Sequence, residues 1–515
     1  MDNLQLKEYT TAAGEILLYA GNPDFRQLEV LSQGAGDIWH SSFEQGYKNA
    51  FPELVYQTAV FFWYLNDFDG LDQCVSWRVN PNAFAVRKSV WEITKGFDVD
   101  YDNLQMQGLD YGFRCIRFLG VVPMYVNNLF SEAKKEIVFI SQTDRHLFFR
   151  KNYKISHAVF MIFRLGIWKI SEWKTFFKIK GNFKKRKEAS IFPPRKLNEV
   201  QGNPSVSYII PTMFRQEYTL QLLKDLATQI YKPEQVIVVD ATPKDQRDEA
   251  LYQQNKYPFD LTVIWQQSKG SCKARNEAIA LCSGDYIVFG DDDIRIPADF
   301  IENHIRLLQT YDVGACNGLD IRAEVHTQDL DDLKRKLENS DLYGKIVGCT
   351  PSFSNANSCV KREYVEQLIG NDVNFDGGYG EDSDFGMSLS KIGVTVLFNP
   401  FSTNLHLKPP TGGYRFWGNQ AKIIGKKRKK QPWELDTPVR GVKPVPSPTV
   451  MYGILKHYTP KQLIEYKYKH FTYYLFSGSR LGMLYRLLRI PYKNRQFKKS
   501  LFYARKLINL GTRHQ

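Results

Sequence analysis

Tyr286-Ile287-Val288-Phe289-Gly290-Asp291-Asp292-Asp293 decides how this chain reads, and Ile294-Arg295-Ile296-Pro297 closes the stretch. Four apolar residues in a row predict a strand buried on both faces. Three carboxylates follow at once. A buried strand ending in carboxylates puts negative charge at the rim where α/β sheets bind their ligands. Carboxylates crowded there repel one another unless a cation intervenes, so the stretch reads as a divalent-metal site. The competing local reading is a solvated turn closed by Pro297.

The neighbouring sequence supplies the rest of a sheet. Val206 to Ile210 is a short apolar run stopped by Pro211. Glu217 to Ile230 has helical periodicity through Leu220, Leu223 and Leu226. Val236 to Val239 ends at Asp240, Leu261 to Trp265 is a third strand, and Ser271 to Cys282 reads as a helix. Strands alternating with helices predict a mostly parallel, doubly wound sheet. Right-handed crossovers then carry Pro211-Thr212, Asp240 and the aspartate triplet to one rim.

Four regions follow from composition: an α/β unit over 1–145, a basic and aromatic helical linker over 146–203, the strand–helix region over 204–440, and a basic helical extension over 441–515. Residues 80–126 and 355–400 repeat one pattern. Both contain D-V-(D/N)-(Y/F)-D, and Gly380 to Phe385 matches Gly108 to Phe113 in the frame G-x-D-x-x-F. The second copy holds Glu381, Asp382 and Asp384 where that frame leaves the first only Asp110. The first region is therefore expected to be a degenerate partner.

The chain has 515 residues, 43% hydrophobic and 14% aromatic, with a formal net charge of +14. It can bury sizeable cores, and it favours anionic partners. Seven scattered cysteines without CxxC indicate neither a disulfide framework nor a zinc site, and fit a reducing cytosol. The start MDNLQLKEYT is no signal peptide, and the longest apolar candidate, His157 to Ile170, is too short to span a bilayer and contains Arg164.

Asp291 and Asp293 can lean toward one Mg²⁺ or Mn²⁺, with diphosphate oxygens completing its shell. Asp240 can accept hydrogen bonds from a base or ribose, or cap a turn. Arg275 can bind phosphate or pair with an aspartate. Glu381 and Asp382, opening a helix after Gly377, Gly378 and Gly380, fit either an ordinary cap or a general base with an orienting neighbour. Asp382 is the expected base. His406, before Pro409-Pro410 and Gly412-Gly413, is a candidate third metal ligand.

Together SYIIPTMFRQ, VIVVD, KARNEAIALCSGDYIVFGDDD and GGYGEDSDFGMSL resemble a family 2 glycosyltransferase of GT-A fold, over roughly residues 204 to 410. The resemblance implies inverting transfer from a nucleotide-diphosphate sugar, with uridine the expected base, to a hydroxyl of a glycan or lipid-linked acceptor in cell-surface polysaccharide synthesis. It implies that Pro211, Thr212 and Asp240 hold the nucleotide with Arg275 beside it. Asp291 and Asp293 become the metal and diphosphate site, with Asp292 on the donor, Asp382 the base and His406 a metal ligand. Glycine at 290, where members often carry Leu, is a departure.

Two other readings compete: a non-catalytic glycan-binding or scaffold protein with a duplicated GT-A-like fold, and a sugar nucleotidyltransferase, which lacks support because no glycine-rich loop follows the first strand. The basic flanks, residues 146 to 187 and Lys426 to Lys430 with the C-terminal tail, suggest a cytoplasmic protein docking peripherally on the anionic face of the inner membrane. No nucleic-acid motif accompanies the charge.

Overall fold

A computed structural model describes residues 5–130, 135–187, 191–253, 256–267, 269–339, 346–414, 441–479 and 482–515. The Lys426 to Lys430 run lies outside them. The chain divides into two compact units, Met1–Lys196 with Lys345–Pro351, and Leu197–Gly344 with Ser352–Gln515.

The first unit is built from β1 (Lys7–Thr10), β2 (Ile16–Ala20), α1 (Phe25–Gln33), β3 (Ile38–His40), α2 (Pro52–Thr58), β4 (Gln73–Val75), β5 (Phe84–Arg87), α3 (Lys88–Thr94), α4 (Leu104–Arg114), β6 (Pro123–Val126), α5 (Gln142–Asn152), α6 (Ile155–Gly166) and α7 (Ile170–Asn182). Its sheet runs β1-β2-β5-β3-β6-β4. The core gathers Ile38, Phe84, Val86 and Tyr111 between sheet and helices.

The second unit contains β7 (Val206–Thr212), α8 (Gln216–Ala227), β8 (Gln235–Asp240), β9 (Asp260–Trp265), α9 (Ser271–Ile279), β10 (Tyr286–Gly290), β11 (Ile294–Arg295), α10 (Phe300–Tyr311), β12 (Ala315–Arg322), α11 (Leu330–Glu338), β13 (Asn357–Lys361), α12 (Arg362–Leu368), α13 (Glu381–Lys391) and β14 (Val396–His406). Four helices complete it: α14 (Pro448–His457), α15 (Pro460–Phe476), α16 (Gly482–Leu488) and α17 (Ile490–Leu510). Its sheet order is β11-β14-β12-β13-β10-β7-β8-β9. β7, β8, β9 and β10 are parallel neighbours, β14 is parallel to β12, and β13 runs against both of its neighbours. The expected mostly parallel α/β sheet is present, with four parallel pairings and three antiparallel ones. β7 and β10 are buried along their whole length, as their apolar runs require. Thr212, Asp240, Gly290, Arg322 and His406 thus end five co-directional strands on one rim.

The C-terminal helices share a core with this unit. Met451 and Tyr452 of α14 and Tyr503 and Leu507 of α17 pack with Cys272, Val373 and Phe375. Burying these apolar side chains stabilises the unit by about 1.5–3 kcal/mol each.

The repeat is structural. β2-β5-β3-β6-β4 matches β10-β13-β12-β14-β11 in order and in every parallel or antiparallel pairing. Among the described residues the first unit has no counterpart of β7, β8 and β9. Its register differs from the G-x-D-x-x-F frame. Asp110 accepts from Asn152 at the end of α5, and Asp384 contacts His457 at the end of α14. Asp98 pairs with Lys151, and Asp372 with Lys456. Tyr111 and Phe385 each enter the core of their unit. These partners align Asp110-Tyr111-Gly112-Phe113 with Asp384-Phe385-Gly386-Met387, a shift of two residues. Gly108 then stands opposite Asp382, and a β-carbon there would run into the Val79 carbonyl.

That alignment also extends the repeat beyond residues 126 and 400. Lys151-Asn152-Tyr153 matches Lys456-His457-Tyr458, and both tyrosines leave their helix in extended conformation, at φ −130°, ψ 170° and φ −118°, ψ 157°. α6 and α7 follow the first, and α15 to α17 follow the second. α7 packs on α5 as α17 packs on α14.

Candidate active site

The strand ends of the second unit open on a cavity of about 260 Å³. Pro211, Arg275, Asp291, Asp292, Asp293, Glu381 and His406 line it, together with Arg215, Arg322, Tyr379, Tyr414 and Ser447. The structure therefore brings together the triplet, the arginine, the acid at the helix start and the late histidine.

Register explains the meeting of Asp293 and His406. β11 begins one residue after Asp293 and pairs antiparallel with β14, Ile294 opposite His406. The Leu407 amide also donates to the Asp293 carbonyl at 2.8 Å. His406 Nε2 lies 3.3 Å from Asp293 Oδ1, and its Nδ1 lies 3.0 Å from Asp320 Oδ1. One ligand atom each from Asp291, Asp293 and His406 falls within 4.8 Å of the others. This is an oxygen-and-imidazole set suited to Mn²⁺ or Mg²⁺, and Asp320 on the far ring nitrogen fixes the imidazole as a supporting carboxylate does. Burial works against a charge on His406, yet hydrogen bonds to Asp293 and Asp320 raise its pKa to about 10.

Arg215, at the N-terminus of α8, offsets the remaining charge. Its Nη1 contacts Asp292 Oδ1 at 3.0 Å and Asp293 Oδ2 at 2.8 Å. Gly412 and Gly413 lie against its side chain, where a β-carbon would collide. Asp292 is buried, and its second oxygen accepts from Thr212 Oγ1 at 2.8 Å. Burial raises its pKa, with Arg215 opposing. Asp292 and Thr212 thus form the floor of the site.

Arg275 of α9 donates from Nη2 to Asp291 Oδ1 at 2.6 Å. Its Nε and Nη1 are buried with no hydrogen-bond partner among the described residues. Buried guanidinium donors left open cost free energy, and an anionic ligand in the cavity would recover it. Asp240 sits apart from the lining. It is fully buried, accepting from the Tyr252 hydroxyl at 2.7 Å and the Thr242 amide at 2.8 Å.

Glu381 and Asp382 open α13 after Gly380, which holds φ 112°. Glu381 lines the cavity, while Asp382 accepts from the Asn355 amide at 3.2 Å. Burial and then the Glu381 charge push Asp382 above the ordinary carboxylate range, against the pull of Arg275. Burial also raises Glu381. Asp384, two residues on, turns away and is held by Lys456 and His457.

Arg215, Asp320, Tyr414 and Ser447 escaped the sequence reading. Arg215 follows the strand-ending Pro-Thr and Asp320 lies near the end of a rim strand, so both carried a positional signal. Tyr414 carried none. Ser447 belongs to the segment after residue 441, where the Tyr379 amide donates to Thr449 Oγ1 at 2.9 Å.

The departure at 290 has a structural cause. A β-carbon on Gly290 would overlap the ring and hydroxyl of Tyr208 on β7. Tyr208 fills the space a larger residue at 290 would occupy.

Residues 207–368 match the family described as Glycosyl transferase family 2. WcaA of Escherichia coli K12, named as a colanic acid biosynthesis glycosyl transferase, is 30% identical over 95 residues, covering 18% of this chain and 34% of WcaA. TuaG of Bacillus subtilis 168, named as a teichuronic acid biosynthesis glycosyltransferase, is 23% identical over 156 residues, covering 28% of this chain and 60% of TuaG. These alignments span less than two thirds of either relative. The structure of the Pyrobaculum calidifontis mannosyltransferase PcManGT with GDP-Man and Mn²⁺ overlaps 69% of this chain and 99% of its own, at a TM-score of 0.34 and 19% identity. The family match ends at Leu368, before Glu381, Asp382 and His406, whose placement rests on the geometry above. Residues 207–368 are thus similar to glycosyl transferase family 2.

Proposed function

We propose that the second unit is a metal-dependent inverting glycosyltransferase. It moves a sugar from a nucleotide diphosphate, UDP by family expectation, to a hydroxyl of a glycan or lipid-linked acceptor in cell-surface polysaccharide synthesis. The observation that carries this reading is the convergence of Asp291, Asp293 and His406 beside the open donors of Arg275.

Asp291, Asp293 and His406 would hold Mn²⁺ or Mg²⁺, which supplies neutralisation of charge on a departing diphosphate. Arg275, which lines the same cavity, would bring its guanidinium to the same phosphates. Pro211 borders the donor, Thr212 and Asp292 support its floor, and Asp240 braces the nucleotide side through Tyr252 and Thr242. Asp382 takes the proton of the acceptor hydroxyl as that oxygen attacks the anomeric carbon from the face opposite the leaving diphosphate. Glu381 orients the acceptor. One displacement inverts the anomeric centre. A raised pKa suits Asp382 to this role, because a base works best when its pKa lies near the working pH. A lipid-linked acceptor would place the enzyme peripherally on the cytoplasmic leaflet of the inner membrane.

The test is turnover of UDP-sugars with Mn²⁺ by the full chain and by Asp293→Ala, Asp382→Asn and Glu381→Gln. Asp382→Asn is expected to lower kcat by about 10²–10⁴-fold. Asp293→Ala is expected to abolish metal-dependent turnover. Hydrolysis and transfer equal to the variants' would leave the glycan-binding reading in its place.

A further inference from the structure

One feature of the molecule has no part in the transferase chemistry. Each unit carries a helical hairpin whose outer end is apolar, exposed and ringed with cations. In the first unit Ile155, Val159 and Phe163 lie four residues apart along α6 with Ile167 just past its end, all exposed, while Met161 and Ile162 are buried. The connection to α7 presents Trp168, 78% exposed, and Ile170, 69% exposed. Lys169, Lys174 and Lys178 beside it are exposed. Residues 150–187 hold 12 Lys and Arg, of which Lys151 and Arg186 pair with Asp98 and Asp110 outside the segment, against one acid, Glu172, which is buried on His146.

The second unit repeats the device at the equivalent place. Phe476 at the end of α15 is exposed, as are Leu484 (68%) and Leu488 (82%) of α16. Residues 460–510 again hold 12 Lys and Arg against one acid, Glu465. The two hairpins share no sequence identity at these tips. Their common property is bulky apolar side chains among cations. Exposed patches of this kind mark interaction sites, and single-sign charge selects an anionic partner. A nucleic acid would use the cations and leave the aliphatic tips without purpose. A bilayer uses both, the cations on headgroups and the tips below them.

We infer that the α6–α7 tip and, in the second unit, the end of α15 at Phe476 with Leu484 and Leu488 of α16 insert into the headgroup region of an anionic bilayer. This deepens the peripheral placement proposed above and rests on it.

Flotation of the full chain with phosphatidylcholine vesicles, and with vesicles of 7:3 phosphatidylcholine to phosphatidylglycerol, tests the inference. The bound fraction is expected to be at least tenfold higher with phosphatidylglycerol. Trp168→Ser with Ile170→Ser, and separately Leu484→Ser with Leu488→Ser, should each lower it at least fivefold, with Tm and donor hydrolysis unchanged. A second measurement needs no destabilising change: brominated lipid should quench tryptophan fluorescence of the unaltered chain more than that of Trp168→Phe. A chain that ignores both vesicle types defeats the peripheral reading itself. Equal binding to neutral and anionic vesicles defeats the charge argument. Binding unmoved by the serine pairs but lost in Lys169→Glu with Lys174→Glu and Lys178→Glu describes a polyanion site such as nucleic acid uses, and overturns insertion. Loss of donor turnover alone leaves the docking surface standing.

Discussion

Gly290 and Tyr208 form a pair that neither strand explains alone. β7 carries a large ring at a point where β10 has no side chain, and a β-carbon at 290 would overlap that ring. Gly290→Leu is expected to destabilise the fold by about 1–3 kcal/mol, the range for overpacking a tight interior. Gly290→Leu with Tyr208→Val should recover most of the loss, and denaturant midpoints of the two variants measure it. Asp382 gives a pH prediction. Its pKa is raised, and the base acts when ionised, so kcat/KM should climb with pH through a limb lying above the ordinary carboxylate range. A limb near pH 4 would remove Asp382 from the role. The sequence exposed the acids, because clustered carboxylates at a strand end are a local signal. It hid their partners. Arg215 acts on Asp292 from 77 residues away and Asp320 on His406 from 86, and such distances close only through the fold.

At the scale of elements, α13 is positioned by α14. Lys456 lies 2.9 Å from both Asp372 and Asp384, and His457 lies 2.6 Å from Asp384. Both carboxylates are buried. Removing the cation leaves Asp372 to neutral donors, the Tyr452 hydroxyl and the Asn374 and Arg513 backbone amides, and leaves Asp384, among the described residues, to His457 alone. Lys456→Met should cost about 3 kcal/mol, read as a fall in Tm. It should also lower kcat, because α13 begins with Glu381 and Asp382. The repeat was legible in sequence as a pattern of strand, helix and glycine. Its register was not. Two frames, G-x-D-x-x-F and D-(Y/F)-G, compete within six residues, and the tertiary partners of Asp110 and Asp384 and of Asp98 and Asp372 separate them. The helices after each repeat escaped comparison for a related reason. Their shared features are one lysine and one tyrosine at a helix end, and composition masks so small a match.

For the whole molecule, the candidate site residues fall in one of the two units. The first keeps the sheet order of the second from β10 to β11 and, among the described residues, has neither the β7–β9 strands nor an acid opposite Asp382. All the ligand atoms of the candidate site come from the second unit. A UDP-sugar with Mn²⁺ should therefore raise the stability of the full chain by about 2.7 kcal/mol at a hundred times Kd, seen as a thermal shift. Asp293→Ala should erase that shift, and EDTA should do the same to the unaltered chain.

His406 has one more consequence. Without a cation the imidazole keeps a proton, shared between Asp293 and Asp320, up to about pH 10. A metal ion can take Nε2 only if that proton leaves. Loading is then an exchange of one ion for another, and acid competes with the metal for the same seat. Affinity for Mn²⁺ should rise about tenfold per pH unit across the neutral range. Calorimetry in buffers of different ionisation enthalpy should record about one proton released for each ion bound.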